Sequence, residues 1–301
     1  MLKKILLLCL LISFCLTINS ILPALYSSDI GPENGTLVIV GGAMKDPAIL
    51  ERFMELAGGP EAPLVIIPTA GGADQYDQSW RGLRQFQEAG FKNITLVHTY
   101  DPTEADSEEF VQPIKQAKAV FFTGGRQWRL ADAYLNTMVH KELFALLARG
   151  GVIGGSSAGA TIQGSYLVRG DTKTNTIMMG DHTQGMNFLK NTGIDQHLLK
   201  RNRQFDLLEV MEAHPDLLGI GIDEDTAIVV QGDRFEVMGQ GYVAIYDAHK
   251  HIPPSGPFYF LAPGDRFNLK TREAFRPTRT YEPLNRVEPI KKSKIKKNYS
   301  Y

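Results

Sequence analysis

Residues 155–159 read Gly-Ser-Ser-Ala-Gly and satisfy the pattern G-x-S-x-G with Ser157 at the centre. A serine nucleophile on a sharp strand-to-helix turn needs small neighbours on both sides, because the turn is strained and its hydroxyl points outward. The flanks agree: VIGG precedes as a strand and AGATIQG follows as the start of a helix. A helix amino terminus also offers N–H groups and a favourable dipole to an oxyanion. Ser156 does not fit the pattern, because Ala158 rather than glycine lies two positions beyond it. The chemistry implied is acyl transfer. A glycine-rich turn without chemistry has the same letters, so the partners of Ser157 decide.

A serine nucleophile needs a base and a group that orients the base. Of seven histidines, His197 stands out in IDQHLLKRNRQ, where Asp195, Gln196, Arg201 and Arg203 crowd around it. The spacing predicts a helix here, with Arg201 on the face of His197. The alternative is a solvated basic helix face. Cysteine is excluded as the nucleophile and as a zinc ligand: Cys9 and Cys15, the only two, both lie in the first segment. The rest is ordinary, with 43% hydrophobic residues, 22% charged and a net charge of −1. Such a balance gives no reason to expect nucleic acid or an anionic membrane surface as a partner.

The elements that must position these residues alternate. GTLVIVGG, APLVIIPTAGG, NITLVHTY, KAVFFTGG and GVIGGSSAGA read as continuous apolar strands. Between them lie helices, including AILERFMELA behind Asp46-Pro47 and HKELFALLARGG, and an acidic amphipathic segment over 103–117. This pattern predicts a mostly parallel sheet covered on both faces, with functional groups at the loops beyond the strand carboxyl ends. After about residue 218, GIGIDEDTAIVVQGDRFEVMGQGYVAIYD reads as added antiparallel strands completing the same domain. Lys3, Lys4 and the apolar run from Ile5 to Ile18 read as an export signal. The expected division is a signal peptide over 1–27, a linker over 28–34, a catalytic domain over 35–285 and a basic tail over 286–301.

GGSSAGA, then IDQHLLKRNR, then GIGIDEDTAIVV, in that order, resemble the cyanophycinase branch of the S51 serine peptidases, relatives of the aspartyl dipeptidases. The resemblance implies a three-layer sandwich of the class I glutamine-amidotransferase-like (flavodoxin-like) class. It makes Ser157 the nucleophile, His197 the base and Glu224 the orienting acid. Spacing alone does not choose Glu224 over Asp223 or Asp225, and Asp171 in VRGDT is a second choice. The resemblance also places the N–H groups of Gly125 and Ala158 in the oxyanion hole. It puts Gln127 against substrate and Asp195, Gln196, Arg201 and Arg203 around the pocket. At Asp206, cyanophycin-cleaving members of the family carry an arginine.

The resulting expectation is an exported serine peptidase, with no metal or cofactor, cleaving cyanophycin or related aspartyl peptides. Its partner is a polypeptide rich in aspartyl and arginyl units, with membrane contact only through an uncleaved signal; a homodimer is compatible with this reading. The alternatives are an aspartyl dipeptidase, an esterase or amidase with the same elbow, and an exported binding protein without turnover.

Overall fold

A computed structural model describes residues 28–249 and 256–278. The expected signal, the basic tail and the last residues of the expected catalytic domain lie outside the described residues. The stretch expected as a linker is held on the domain. The Asp233 carboxylate accepts from the Ser28 hydroxyl and the Ile30 N–H, each at 2.8 Å, and the Ile30 carbonyl accepts from the Lys190 N–H at 2.9 Å.

β1 (Thr36–Val40) leads through Gly41-Gly42 into α1 (Pro47–Ala57). Asp46 caps that helix, its carboxylate accepting from the Ala48 N–H at 3.0 Å, and Pro47 opens it with a preset φ. Then come β2 (Leu64–Ile67), α2 (Arg84–Glu88), β3 (Ile94–Leu96), α3 (Pro102–Ala105) and α4 (Gln112–Gln116). The segment over 103–117 is thus two short helices, the second restarting at Pro113. β4 (Ala119–Phe122), α5 (Gln127–Tyr134), α6 (Met138–Ala148), β5 (Val152–Ser156) and α7 (Ala158–Thr161) follow. The first five strands are parallel, in the order β1-β5-β4-β2-β3.

The second half is richer than one extended sheet. It contains β6 (Gly164–Tyr166), β7 (Leu189–Gln196), α8 (Leu207–Ala213), β8 (Leu218–Ile222), β9 (Thr226–Gln231) and β10 (Arg234–Gly239). β11 (Val243–Asp247), β12 (Tyr259–Leu261), β13 (Arg266–Asn268) and β14 (Glu273–Phe275) complete it. β9 pairs antiparallel with β1, and β10, β13 and β14 extend that edge to make a nine-stranded sheet. β8 and β11 belong to a second sheet of five strands, β12-β11-β8-β7-β6, so the added strands are shared between two sheets. His197 follows β7 rather than riding on a helix, and the next helix begins only at Leu207. LKNTGIDQ hides this strand, because it has neither an apolar run nor alternation.

The parallel strands bury both faces, as continuous apolar runs require. Val38 and Val40 share one core with Phe53 of α1 and Phe121 of β4. Leu37 and Ile39 share the other with Leu130 of α5 and Leu143 of α6, and Ile194 and Ile220 of the second sheet join it. The second sheet therefore brings the end of β7 to the carboxyl ends of β1 and β5.

Candidate active site

Ser157 follows β5 directly, its N–H donating to the Val40 carbonyl of neighbouring β1 at 3.0 Å. Its backbone is at φ 57°, ψ −112°, a conformation that a non-glycine residue adopts only where its surroundings impose it. The two glycines show why the motif needs them. A Cβ on Gly155 would stand 2.1 Å from the Gly159 carbonyl oxygen, and one on Gly159 would stand 2.2 Å from that of Phe122. The chain can turn this sharply only with no side chain at either position.

The Ser157 hydroxyl lies 2.8 Å from Nε2 of His197, and Nδ1 of His197 lies 2.8 Å from Oε1 of Glu224. A carboxylate only accepts, so Nδ1 carries the proton and Nε2 is left to accept from the Ser157 O–H. The imidazole is buried. Burial pushes its pKa below the usual histidine value; the bond to Glu224 opposes this, and the charges of Arg201 and Arg203 add to the lowering. The ring is thereby kept neutral, the form a general base needs.

The three acids of the GIDED turn each have a place. Glu224 faces the histidine. Asp223 accepts from the N–H groups of Leu199 and Lys200 at 3.0 and 2.9 Å, fixing the turn after His197. Asp225 accepts from the Lys45 and Asp46 N–H groups, fixing the loop after β1. Asp171, the second choice for the acid, is set aside by its contacts: its carboxylate accepts from the N–H groups of Lys173 and Thr174 within its own turn.

Gln127, which the resemblance puts against substrate, is 1% exposed, and its amide donates to the Val168 carbonyl at 2.8 Å, which ties α5 to the segment after β6. Asp195 and Gln196 are buried as well. Asp195 is bound by Arg169, and Gln196 presents its carbonyl and side-chain oxygens to Arg203 at 3.1 Å. Arg201 is exposed, and its N–H closes a single turn onto the His197 carbonyl at 3.0 Å. That one turn puts its charge beside the base without a helix.

Gly124 and Gly125 border the nucleophile. A Cβ on Gly124 would lie 3.7 Å from Ser157 Oγ, and Gly125 packs on the Ala70 carbonyl at φ 146°. Among the described residues, neither the Gly125 nor the Ala158 N–H has an acceptor, which leaves both free for an oxyanion. A cleft of about 340 Å³ lined by Gly72, Tyr100, Trp128, Arg129 and Asp132 opens beside this loop. A larger cavity, of about 490 Å³, lies away from the triad on the outer strands, among Arg52, Arg234 and Arg266. Among the described residues no group of three or more His, Cys, Asp or Glu side chains is placed to hold a metal.

The model of peptidase family S51 matches residues 37–238, which include all three triad residues. The chain belongs to peptidase family S51. It is a serine peptidase. The cyanophycinase of Geminocystis herdmanii (strain PCC 6308) is 31% identical over 264 residues, covering 79% of this chain and 95% of the relative. The cyanophycinase of Nostoc sp. (strain PCC 7120) is 32% identical over 260 residues, covering 79% and 87%. In fold, the chain is similar to the crystal structure of a peptidase from an acI-B1 Actinobacterium, with a TM-score of 0.61, 24% identity and coverage of 79% and 98%. It is also similar to that of a putative peptidase E from Listeria monocytogenes, with a TM-score of 0.50, 17% identity and coverage of 69% and 99%.

Two features of this S51 peptidase escape a sequence reading. Gly42 stands against the His197 ring, and the only signal for it is the pair of glycines ending β1. Arg169 is 2% exposed and is held by Asp195 and Asp206. Its signal is a lone arginine behind an apolar stretch, in SYLVRGD.

Proposed function

We propose that the chain is an exported serine peptidase that hydrolyses cyanophycin or related β-aspartyl and aspartyl peptides through an acyl-enzyme on Ser157. His197 Nε2 takes the Ser157 proton as Oγ attacks the scissile carbonyl carbon. The resulting oxyanion is received by the N–H groups of Ala158 and Gly125. The imidazolium, steadied by Glu224, gives its proton to the leaving nitrogen as the C–N bond breaks. Water then enters by the same route and releases the acid.

One observation carries the substrate class. Arg203 is 7% exposed, and among the described residues it makes no ion pair; its bonds go only to neutral oxygens of Gln196. Burial, and then the nearby Arg169, holds its pKa below the usual arginine value, against the opposing charges of Asp195 and Asp206, both of which are bonded to Arg169 instead. A buried cation to which none of the described carboxylates is bonded, close enough to lower the pKa of the base, is suited to a substrate carboxylate. The cyanophycinase names of the relatives point to the same class. Asp206 favours a second reading within it, an aspartyl dipeptidase, because it puts a negative group where the cyanophycin-cleaving branch carries a positive one.

The assignment to the class I glutamine-amidotransferase-like (flavodoxin-like) class is part of this proposal, supported by helices on both faces of the parallel strands. Export rests on the leader sequence, which lies outside the described residues. The test is to incubate the purified chain and its Ser157→Ala variant with cyanophycin and a panel of β- and α-aspartyl dipeptides, and to identify the products by mass. Hydrolysis that survives in the variant overturns the mechanism. An unmodified chain that cleaves none of these substrates overturns the substrate class.

A further inference from the structure

Arg169 is the largest of the fully buried side chains, and its backbone is held at φ 57°. Its guanidinium makes four bonds. Nε and Nη2 donate to the two carboxylate oxygens of Asp195 at 2.7 and 2.9 Å. Nη2 also donates to Asp206 Oδ2 at 2.6 Å, and Nη1 donates to the Asn175 carbonyl at 3.1 Å. One side chain thus joins the loop after β6, the end of β7 and the turn before α8.

The charges around it are unevenly divided. Asp195 and Asp206 are both bonded to Arg169, while Arg203, near enough to feel all three, is bonded only to Gln196. Asp195 Oδ1 also accepts from the Gln196 N–H at 2.9 Å, so the carboxylate that Arg169 fixes in turn fixes the residue that holds Arg203. A bidentate guanidinium–carboxylate pair is directional, and it keeps both oxygens of Asp195 turned away from a competing cation.

We propose that Arg169 is a positioning residue that holds Asp195 and Asp206 away from Arg203, reserving Arg203 for a carboxylate of the substrate. The proposal rests on the acidic-substrate reading above. Without the Arg169 fork, the two carboxylates turn to Arg203 and compete with the substrate for it. Asp206 is 39% exposed and has one oxygen outside the fork, so it weakens carboxylate binding even in the unmodified chain.

The experiment measures binding of β-aspartyl-arginine and its asparaginyl counterpart by calorimetry on the Ser157→Ala background, so that no turnover is needed. Arg169→Gln is expected to weaken the aspartyl peptide at least tenfold and the asparaginyl peptide far less, with Arg169→Lys between the two. Asp206→Asn, which keeps an acceptor for Nη2 and removes a charge, is expected to bind the aspartyl peptide several-fold more tightly. This second variant keeps the test open if Arg169→Gln does not fold. Equal losses for both peptides in Arg169→Gln, unchanged discrimination in Asp206→Asn, or no binding of the aspartyl peptide to the parent would overturn the proposal. Failure of the serine mechanism is separable: it appears as absent fluorophosphonate labelling of Ser157 in the unmodified chain.

Discussion

Gly42 and His197 are in a contact that leaves no room for a side chain: a Cβ on Gly42 would stand 2.3 Å from Cε1 and 2.5 Å from Nδ1 of the imidazole. The backbone of Gly42 is at φ +139°, and its carbonyl accepts from the Asp225 N–H at 2.9 Å. The loop after β1 is thus both the wall behind the base and a link to the turn that carries the acid.

Gly42→Ala is therefore expected to displace the imidazole from the Ser157–Glu224 line. A misplacement of about 1 Å at a reacting group costs on the order of a hundredfold. We expect a fall of roughly that size in kcat/KM, with fluorophosphonate labelling slowed in parallel. A variant that keeps its labelling rate would show that the ring has space it does not have here.

The GIDED turn separates orientation from support. Glu224→Gln keeps the shape and removes the charge facing His197 Nδ1, so kcat is expected to fall on the order of 10³–10⁴-fold, as when the acid of a serine triad is neutralised. Asp225→Asn leaves the Glu224–His197 bond intact and weakens the anchoring of Lys45 and Asp46. Its effect is expected mainly in stability, about 1 kcal/mol, measured by urea denaturation, with kcat within a few-fold. If Asp225→Asn lost as much kcat as Glu224→Gln, the orienting role would not belong to Glu224 alone.

The pH profile has a definite sign. His197 acts as a base when neutral, and its pKa is lowered by burial and by Arg201 and Arg203, against Glu224. The acid limb of kcat/KM is therefore expected below the ordinary histidine value of about 6.5. Arg201→Gln removes one of the lowering charges from an exposed position, so the limb is expected to move up in pH, more clearly at low salt. A limb that stays in place would mean that solvent screens Arg201 from the base.

Much of this was legible in the sequence, for physical reasons. Buried parallel strands need continuous apolar runs, and an elbow needs glycines at two fixed positions, so β1, β2, β4, β5 and Ser157 stood out. The second sheet did not. Leu189–Gln196 owes its burial to neighbouring β6 and β8 rather than to its own composition. His197 was found by its polar and charged neighbours, and two of them, Asp195 and Gln196, are buried and tied into the Arg169 and Arg203 bonds. Gln127 shows the same limit: the resemblance puts it against substrate, and its buried bond to the Val168 carbonyl is seen only in the structure.

His182 shows what a sequence conceals about a titratable group, and it gives a last prediction. Its Nε2 lies 2.7 Å from Asp132 Oδ1 on α5, and its Nδ1 lies 3.1 Å from Asp181 Oδ1. Both ring nitrogens face oxygens that can only accept, so the imidazolium is the form that satisfies both. Desolvation lowers its pKa, but the bonds to Asp181 and Asp132 outweigh this and hold it above the usual value. Asp181, in turn held by Thr172, is lowered to about 2 and stays charged throughout. With the folded pKa above the unfolded one, the brace between α5 and the loop over 171–182 is fully present below about pH 6.5 and is lost as pH rises through the folded value. Hydrogen exchange in residues 171–182, corrected for intrinsic rates, is therefore expected to show easier opening at pH 8 than at pH 6. His182→Ala should open equally easily at both. Asp132→Asn, which leaves Asp181 in place, should fall between. If the unmodified chain opened with the same free energy across this range, His182 would be a neutral surface residue and the two carboxylates beside it would do no bracing.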